Sequence, residues 1–173
     1  MATNREYTEN FQHNVDVSFE AEEIAKELLE QLTHQKFYTV RDEPDWFHVG
    51  DLTTIEGKGY DVKDDGIIHK SGNVFCEVKK HWLNGQTTDG WMLNGEYDYL
   101  VILDQIGKNI YVLDFEKLKK IYKSGYPKYN IKMGDNYTDG YAVPLKRCRA
   151  QGIIVYEASY YYEECMDYNY IND

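Results

Sequence analysis

Residues 51–65 read DLTTIEGKGYDVKDD, and the folding of this stretch decides what the chain is. Phe47, Val49, Leu52 and Ile55 mark a strand, residues 56–59 (EGKG) form a tight connection with two glycines, and residues 60–64 (YDVKD) form the next strand. Side chains alternate along a strand, so Asp61 and Lys63 share one face. Asp51, on the preceding strand, then offers a second carboxylate across the hairpin. Two carboxylates are the hard oxygen donors that Mg²⁺ or Mn²⁺ takes. A neighbouring ammonium orients a water or offsets charge on a phosphate. The chemistry expected of such a set is metal-dependent hydrolysis of a phosphodiester.

Upstream, the periodicity predicts a helix from Ser18, which serves as its cap, with Glu20, Glu22 and Glu23 in the favourable first turn. Ala21, Ile24, Ala25, Leu28, Leu29 and Leu32 form its buried stripe. Residues 1–17 read as a loose lead-in. Residues 36–41 (KFYTVR) read as a first strand and residues 42–45 (DEPD) as a turn. Downstream, Ser71-Gly72-Asn73 turns into a strand from Val74 (VFCEVKK), and residues 84–96 read as a loop. Residues 97–104 (YDYLVILD) form an apolar strand suited to the middle of a sheet. Residues 109–113 pair with it, and residues 115–122 form a short helix carrying Lys117, Lys119, Lys120 and Lys123. Residues 157–173 are an acidic, tyrosine-rich tail. No repeat or second domain is visible, so residues 1–173 are read as one α/β domain.

Three Asp/Glu-x-Lys triplets occur: Glu56/Lys58, Asp61/Lys63 and Glu77/Lys79. The first lies in the glycine turn and is discarded. The third lies on a strand, with Asp64 or Asp65 as its upstream acid, and stays open as a rival to Asp61/Lys63. Against both stands the plainer reading, that alternating carboxylates and lysines mark a solvated strand face. Yet DVKDD packs four ionisable groups into five residues where interior sheet is expected, which is costly without a cation.

The net charge of −11 argues against a nucleic-acid partner, but its distribution does not. Residues 108–149 carry 10 basic and 4 acidic residues. The four lysines of the short helix are a candidate phosphate-contacting strip; a plain surface helix would look the same. The 17 tyrosines are packing residues first and base-stacking platforms second. Cys76, Cys148 and Cys165 make no zinc spacing, and the five histidines show no HxxxH pairing. No apolar run reaches the roughly 20 residues of a membrane helix, and the N-terminus has no signal-peptide stretch. A cytoplasmic protein without a membrane partner is expected.

The order helix, three strands, with Asp51 on the second strand and Asp61-x-Lys63 on the third, resembles the PD-(D/E)xK nuclease superfamily. The similarity runs over residues 18–104. A narrower one, to small phage and bacterial members, rests on DVKDD (61–65), SGNVFCE (71–77), GW (90–91) and YDYLVIL (97–103). The resemblance implies a restriction-endonuclease-like αβββαβ core, with a mixed central sheet flanked by helices. It implies Mg²⁺ or Mn²⁺ on Asp51 and Asp61, with the Val62 carbonyl as a further ligand, Lys63 at the scissile phosphate and Glu77 as an accessory acid. A glutamate of the first helix joins the metal in many members; Glu20 is preferred here over Glu22. Gly50 replaces the proline of the motif. The activity implied is an endonuclease of a phage or mobile element cutting DNA in the host cytoplasm, with a homodimer as one option. The competing reading is a catalytically silent fold acting as an acidic DNA mimic or protein-binding inhibitor.

Overall fold

The computed structural model describes residues 4–40, 50–133 and 136–161. A long helix, α1 (Asn4–Thr33), leads into β1 (Phe37–Thr39), β2 (Leu52–Thr54) and β3 (Gly59–Asp64). The chain continues through α2 (Ile68–Ser71), β4 (Asn73–His81), β5 (Thr87–Asp89), α3 (Trp91–Asn94), β6 (Tyr99–Asp104) and β7 (Asn109–Asp114). It finishes with α4 (Phe115–Ile121), β8 (Lys128–Met133), β9 (Asn136–Pro144), α5 (Leu145–Ala150) and β10 (Ile154–Ser159).

The helix begins well before Ser18. No glycine or proline occurs before Pro44, so once packing fixes the second half of the helix, nothing breaks its propagation backward. Residues 4–17 are therefore not a loose lead-in but the first turns of α1, and Ser18 donates to Glu22 Oε1 (3.3 Å) from within the helix. Residues 42–45 and Phe47–Val49, read above as a turn and a strand start, lie outside the described residues, as do residues 162–173 of the tail. Within residues 84–96, read as loop, stand β5 and α3.

Two sheets form. The larger is mixed, in the order β1-β2-β3-β6-β7-β10, with β3 and β6 parallel and every other pair antiparallel. The smaller, β5-β4-β9-β8, is antiparallel throughout. The crossover joining parallel β3 to β6 spans residues 65–98 and carries α2, β4, β5 and α3. Where the αβββαβ pattern has one helix, this chain inserts two strands of a second sheet between two short helices.

The layering follows from alternation along β3 and β6. Tyr60, Val62, Val101 and Leu103 pack against Ala21, Ala25 and Leu29 of α1. Leu100 and Ile102 point the other way, into a core built with Val74, Cys76 and Val143 of the smaller sheet and Phe115 and Leu118 of α4. Asp61 and Lys63 stand opposite Leu100 and Ile102 in the parallel register. They therefore project to the side of the second sheet, at the margin of its core. Cys76 and Cys148 are buried free thiols. No described helix is long and apolar enough to cross a membrane.

Candidate active site at the second and third strands

Gly50 sets the geometry at the start of β2. Its φ is +102°, and a Cβ there would lie 2.6 Å from the Tyr60 carbonyl oxygen of β3. Proline is confined to φ near −65°, so the proline of the nuclease motif is sterically excluded at this position. Glycine is the residue the local backbone demands. The Asp51 amide donates to that same Tyr60 carbonyl (2.8 Å), and its carboxylate Oδ2 accepts from the Val62 amide (2.7 Å), beyond the end of the β2–β3 ladder. Asp51 is thereby locked against the strand that carries Asp61 and Lys63.

Among the described residues five carboxylates are nearly sealed from water: Glu22 (3% exposed), Asp51 (7%), Asp61 (6%), Glu77 (7%) and, at the end of β6 beside His69, Asp104 (0%). Lys63 Nζ lies 2.7 Å from Asp61 Oδ2, and about a third of its side chain (35%) stays open to solvent. Burial and then the Asp61 charge push the Asp51 carboxyl up to about 7; Lys63 and the Val62 amide only partly offset this, and Glu22 adds to it. Burial opposes the Lys63 ammonium, but Asp61 and Asp51 outweigh it and hold its pKa above the usual lysine value, with Glu77 contributing. Lys63 is thus charged throughout the physiological range. It cannot serve as a proton acceptor, only as a fixed positive charge. Tyr97 completes the cluster. Burial first, and then Asp61 and Asp51, push its phenol far upward, so it stays protonated. Both Asp61 Oδ2 and the Tyr97 hydroxyl are buried without a hydrogen bond of sound geometry.

The two rival triplets separate on sheet register. On β4 the pairing with β9 shifts between Glu77 and Lys79, leaving Val78 as an extra residue. Glu77 is opposite Gly140 and Lys80 opposite Thr138, two residues apart on β9, so Glu77 shares its face with Lys80. Lys80 Nζ lies 3.5 Å from Glu77 Oε1. Lys79, opposite Asp139, points to the other face. The bulge removes the same-face relation that Glu77-x-Lys79 needs, whereas β3 pairs without interruption through Asp61 and Lys63. For the rival's upstream acids, Asp64 accepts from Gln105 (3.0 Å) and Asp65 caps the turn into α2 through the Ile67 and Ile68 amides.

Glu20 and Glu22 part company in the structure. Glu20 is exposed, and its charge acts on Asp64, whose side of β3 faces α1. Glu22, two residues on, is the buried helix carboxylate and the one felt by Asp51. The helical phase alone could not choose, because both glutamates flank the apolar stripe; docking of α1 on the sheet made the choice.

The lysines of α4 and Lys123 just past its end make local contacts. Lys117 pairs with Asp114 (3.1 Å) and donates to the Gly152 carbonyl (3.2 Å). Lys119 pairs with Glu116 and lies over the Phe115 ring (4.7 Å), and Lys123 lies over the Tyr122 ring (5.1 Å). Lys120 is exposed. None of the four pairs with Asp51, Asp61, Lys63 or Glu77. Glu56 and Lys58 flank the exposed β2–β3 turn, where Lys58 pairs with Asp98 (2.8 Å).

Two parts of the site escaped the reading of the sequence. Gly90 packs on Glu77, where a Cβ would come within 2.7 Å of Glu77 Cγ, and Gly95 packs on the Tyr97 ring, where it would come within 2.5 Å. These glycines bracket α3 and let both side chains sit tight. The GW pair at 90–91 was the visible signal. Tyr97 itself, seen as the first residue of an apolar strand, is held by Phe115 with ring centroids 4.2 Å apart.

Among the described residues, no three His, Cys, Asp or Glu side chains stand close enough together to ligate a metal as they are. Mg²⁺ commonly takes only one or two carboxylates and fills its shell with waters and substrate phosphates. A pair of crowded buried carboxylates, one at a raised pKa, fits that demand. No family model, curated protein or solved structure matches this chain.

Proposed function

We propose that the protein is a metal-dependent endonuclease of restriction-endonuclease-like type that hydrolyses DNA phosphodiester bonds. The observation that carries this reading is Asp51 and Asp61 crowded on adjoining strands with the Lys63 ammonium 2.7 Å from Asp61. Asp51 and Asp61 would hold Mg²⁺ or Mn²⁺, with the Val62 carbonyl beside them. The bound ion would supply Lewis-acid stabilisation of the phosphate and a more acidic water.

The protein's own groups do the rest. Lys63 keeps its charge and offsets the negative charge that develops on the phosphate. Asp51, near pH 7, is poised to give up its proton when a cation arrives, so metal affinity is coupled to pH. Tyr97 and Glu77 fix the surroundings of Asp61 and Lys63 from the side of the second sheet.

A second reading, the acidic DNA mimic, draws on the net charge of −11. The two part on one experiment: supercoiled, linear, single-stranded and branched DNA incubated with Mg²⁺, Mn²⁺ or EDTA. Metal-dependent cutting that disappears in Asp61→Ala and Lys63→Ala supports the nuclease. Absence of cutting on every substrate, together with no heat of Mn²⁺ binding, would sink it in favour of the mimic.

A further inference from the structure

Tyr97 stands just before β6, and the residue after it is tied down from several directions. The Asp98 amide donates to the Gly59 carbonyl (3.0 Å), and the Asp98 carbonyl accepts from the Phe115 amide (3.0 Å). The Asp98 carboxylate accepts from the Gly59 amide (2.9 Å) and from Lys58 Nζ (2.8 Å). The Tyr97 ring is set by Phe115, with centroids 4.2 Å apart, and by the bare backbone of Gly95. The residue is 3% exposed. A phenylalanine would fill this space equally well, so packing accounts for the ring and not for the hydroxyl.

That hydroxyl is a buried polar group without a hydrogen bond of sound geometry. Such a group is unfavourable until it finds an acceptor. Beyond burial itself, Asp61 acts on it most, through its charge and at hydrogen-bonding range, and Asp51 follows. Cys76, also near, offers only a weak sulfur acceptor. Because the phenol stays protonated, it can donate to a carboxylate at any physiological pH.

Asp61 Oδ2 meanwhile has the Lys63 ammonium at 2.7 Å. Lys63 cannot stay so near a carboxylate that also ligates a divalent ion without repulsion between the two cations. It must also turn toward the phosphate, and its side chain is already partly open to solvent. On turning away, it leaves Asp61 short of a donor inside a buried site. A neutral donor meets neither difficulty. It sets no charge against the ion, and rigid packing keeps it in place.

We infer that Tyr97 is the positioning residue of this site: its hydroxyl takes over Asp61 from Lys63 when the metal is bound, which fixes the ligand and frees the ammonium for the phosphate. This rests on the proposed nuclease for the use made of Lys63, but the hold of Tyr97 on Asp61 is read from metal binding alone.

The test compares the wild-type chain with Tyr97→Phe, which keeps the ring against Phe115 and Gly95 and removes only the oxygen. Mn²⁺ affinity is measured by calorimetry, and cleavage of supercoiled DNA is resolved into kcat and KM at saturating Mn²⁺. Urea unfolding in EDTA reports the fold. The expected result is Mn²⁺ affinity and kcat each lowered about tenfold, with KM and the urea midpoint unmoved. Wild-type Mn²⁺ affinity and kcat in the variant would overturn the assignment. So would losses that come with a matching fall in the urea midpoint, which a packing role alone explains. Cutting that needs Asp61 but ignores Tyr97→Phe would keep the nuclease and remove the positioning role. Mn²⁺ binding weakened by Tyr97→Phe in a chain that cuts no substrate would do the reverse. Failure of the wild type to bind Mn²⁺ would remove both.

Discussion

Asp61 and Asp139 are both aspartates with a lysine ammonium under 3 Å away, yet their surroundings make them opposites. Asp139, on β9, accepts from Lys128 (2.8 Å) and Asn130 (2.7 Å), with His81 at 3.2 Å. Those partners hold its carboxyl well below the usual carboxylate range. Asp61 has Lys63 at 2.7 Å, but Asp51 and Tyr97 are buried beside it, and the crowding appears as a raised pKa on Asp51. A carboxylate with enough donors is structural. A group of carboxylates kept crowded by the fold carries unfavourable charge that a cation can relieve.

That contrast can be broken at several points. If the crowded pair is the site, Asp61→Ala or Lys63→Ala should cut metal-dependent cleavage by about a hundredfold or more, while Asp139→Ala should leave it unchanged in the same plasmid assay. Equal losses at both positions would erase the distinction.

The next effect is on stability. Between about pH 4 and 7 the folded chain keeps a proton on Asp51 that the unfolded chain has released. Its contribution is therefore complete below pH 4, falls as pH rises, and is flat above 7. The metal-free protein should lose up to about 4 kcal/mol across this window, read from urea unfolding in EDTA. Asp51→Asn should flatten the curve, and Mn²⁺ should restore stability at pH 8. Asp139 has the opposite sign, stabilising above the usual carboxylate range and losing that contribution only in acid.

Gly50→Ala should cost about 1–3 kcal/mol, because φ of +102° and the Tyr60 carbonyl at 2.6 Å both oppose a side chain. An unchanged urea midpoint would show that Asp51 is not held as described. The smallest effect belongs to the satisfied cluster. Lys128→Ala should lower the urea midpoint only slightly, since that lysine is about half exposed, and the loss should shrink in high salt.

Much of this was legible in the chain itself. The stripe through Ala21, Ala25 and Leu29, the alternation that puts Asp61 and Lys63 together, and the turn at 56–59 are local signals, and local steric rules carry them into structure. The mixed α/β character followed from those signals. Residues separated by a bulge, a docking angle or a sheet boundary gave no such signal. Val78 is an ordinary strand residue until its partner strand passes it by, and only then does Lys80 replace Lys79 beside Glu77. Glu20 and Glu22 are equivalent by helical phase until α1 meets β3. The crossover from β3 to β6 reads as strand and loop, yet it builds a second sheet, because pairing with β9, some 60 residues downstream, is invisible to any window. Periodicity fixes what one element presents. Long-range pairing decides what it is presented to, and here that pairing brought Glu77 and Tyr97 beside Asp61 and Lys63 of β3.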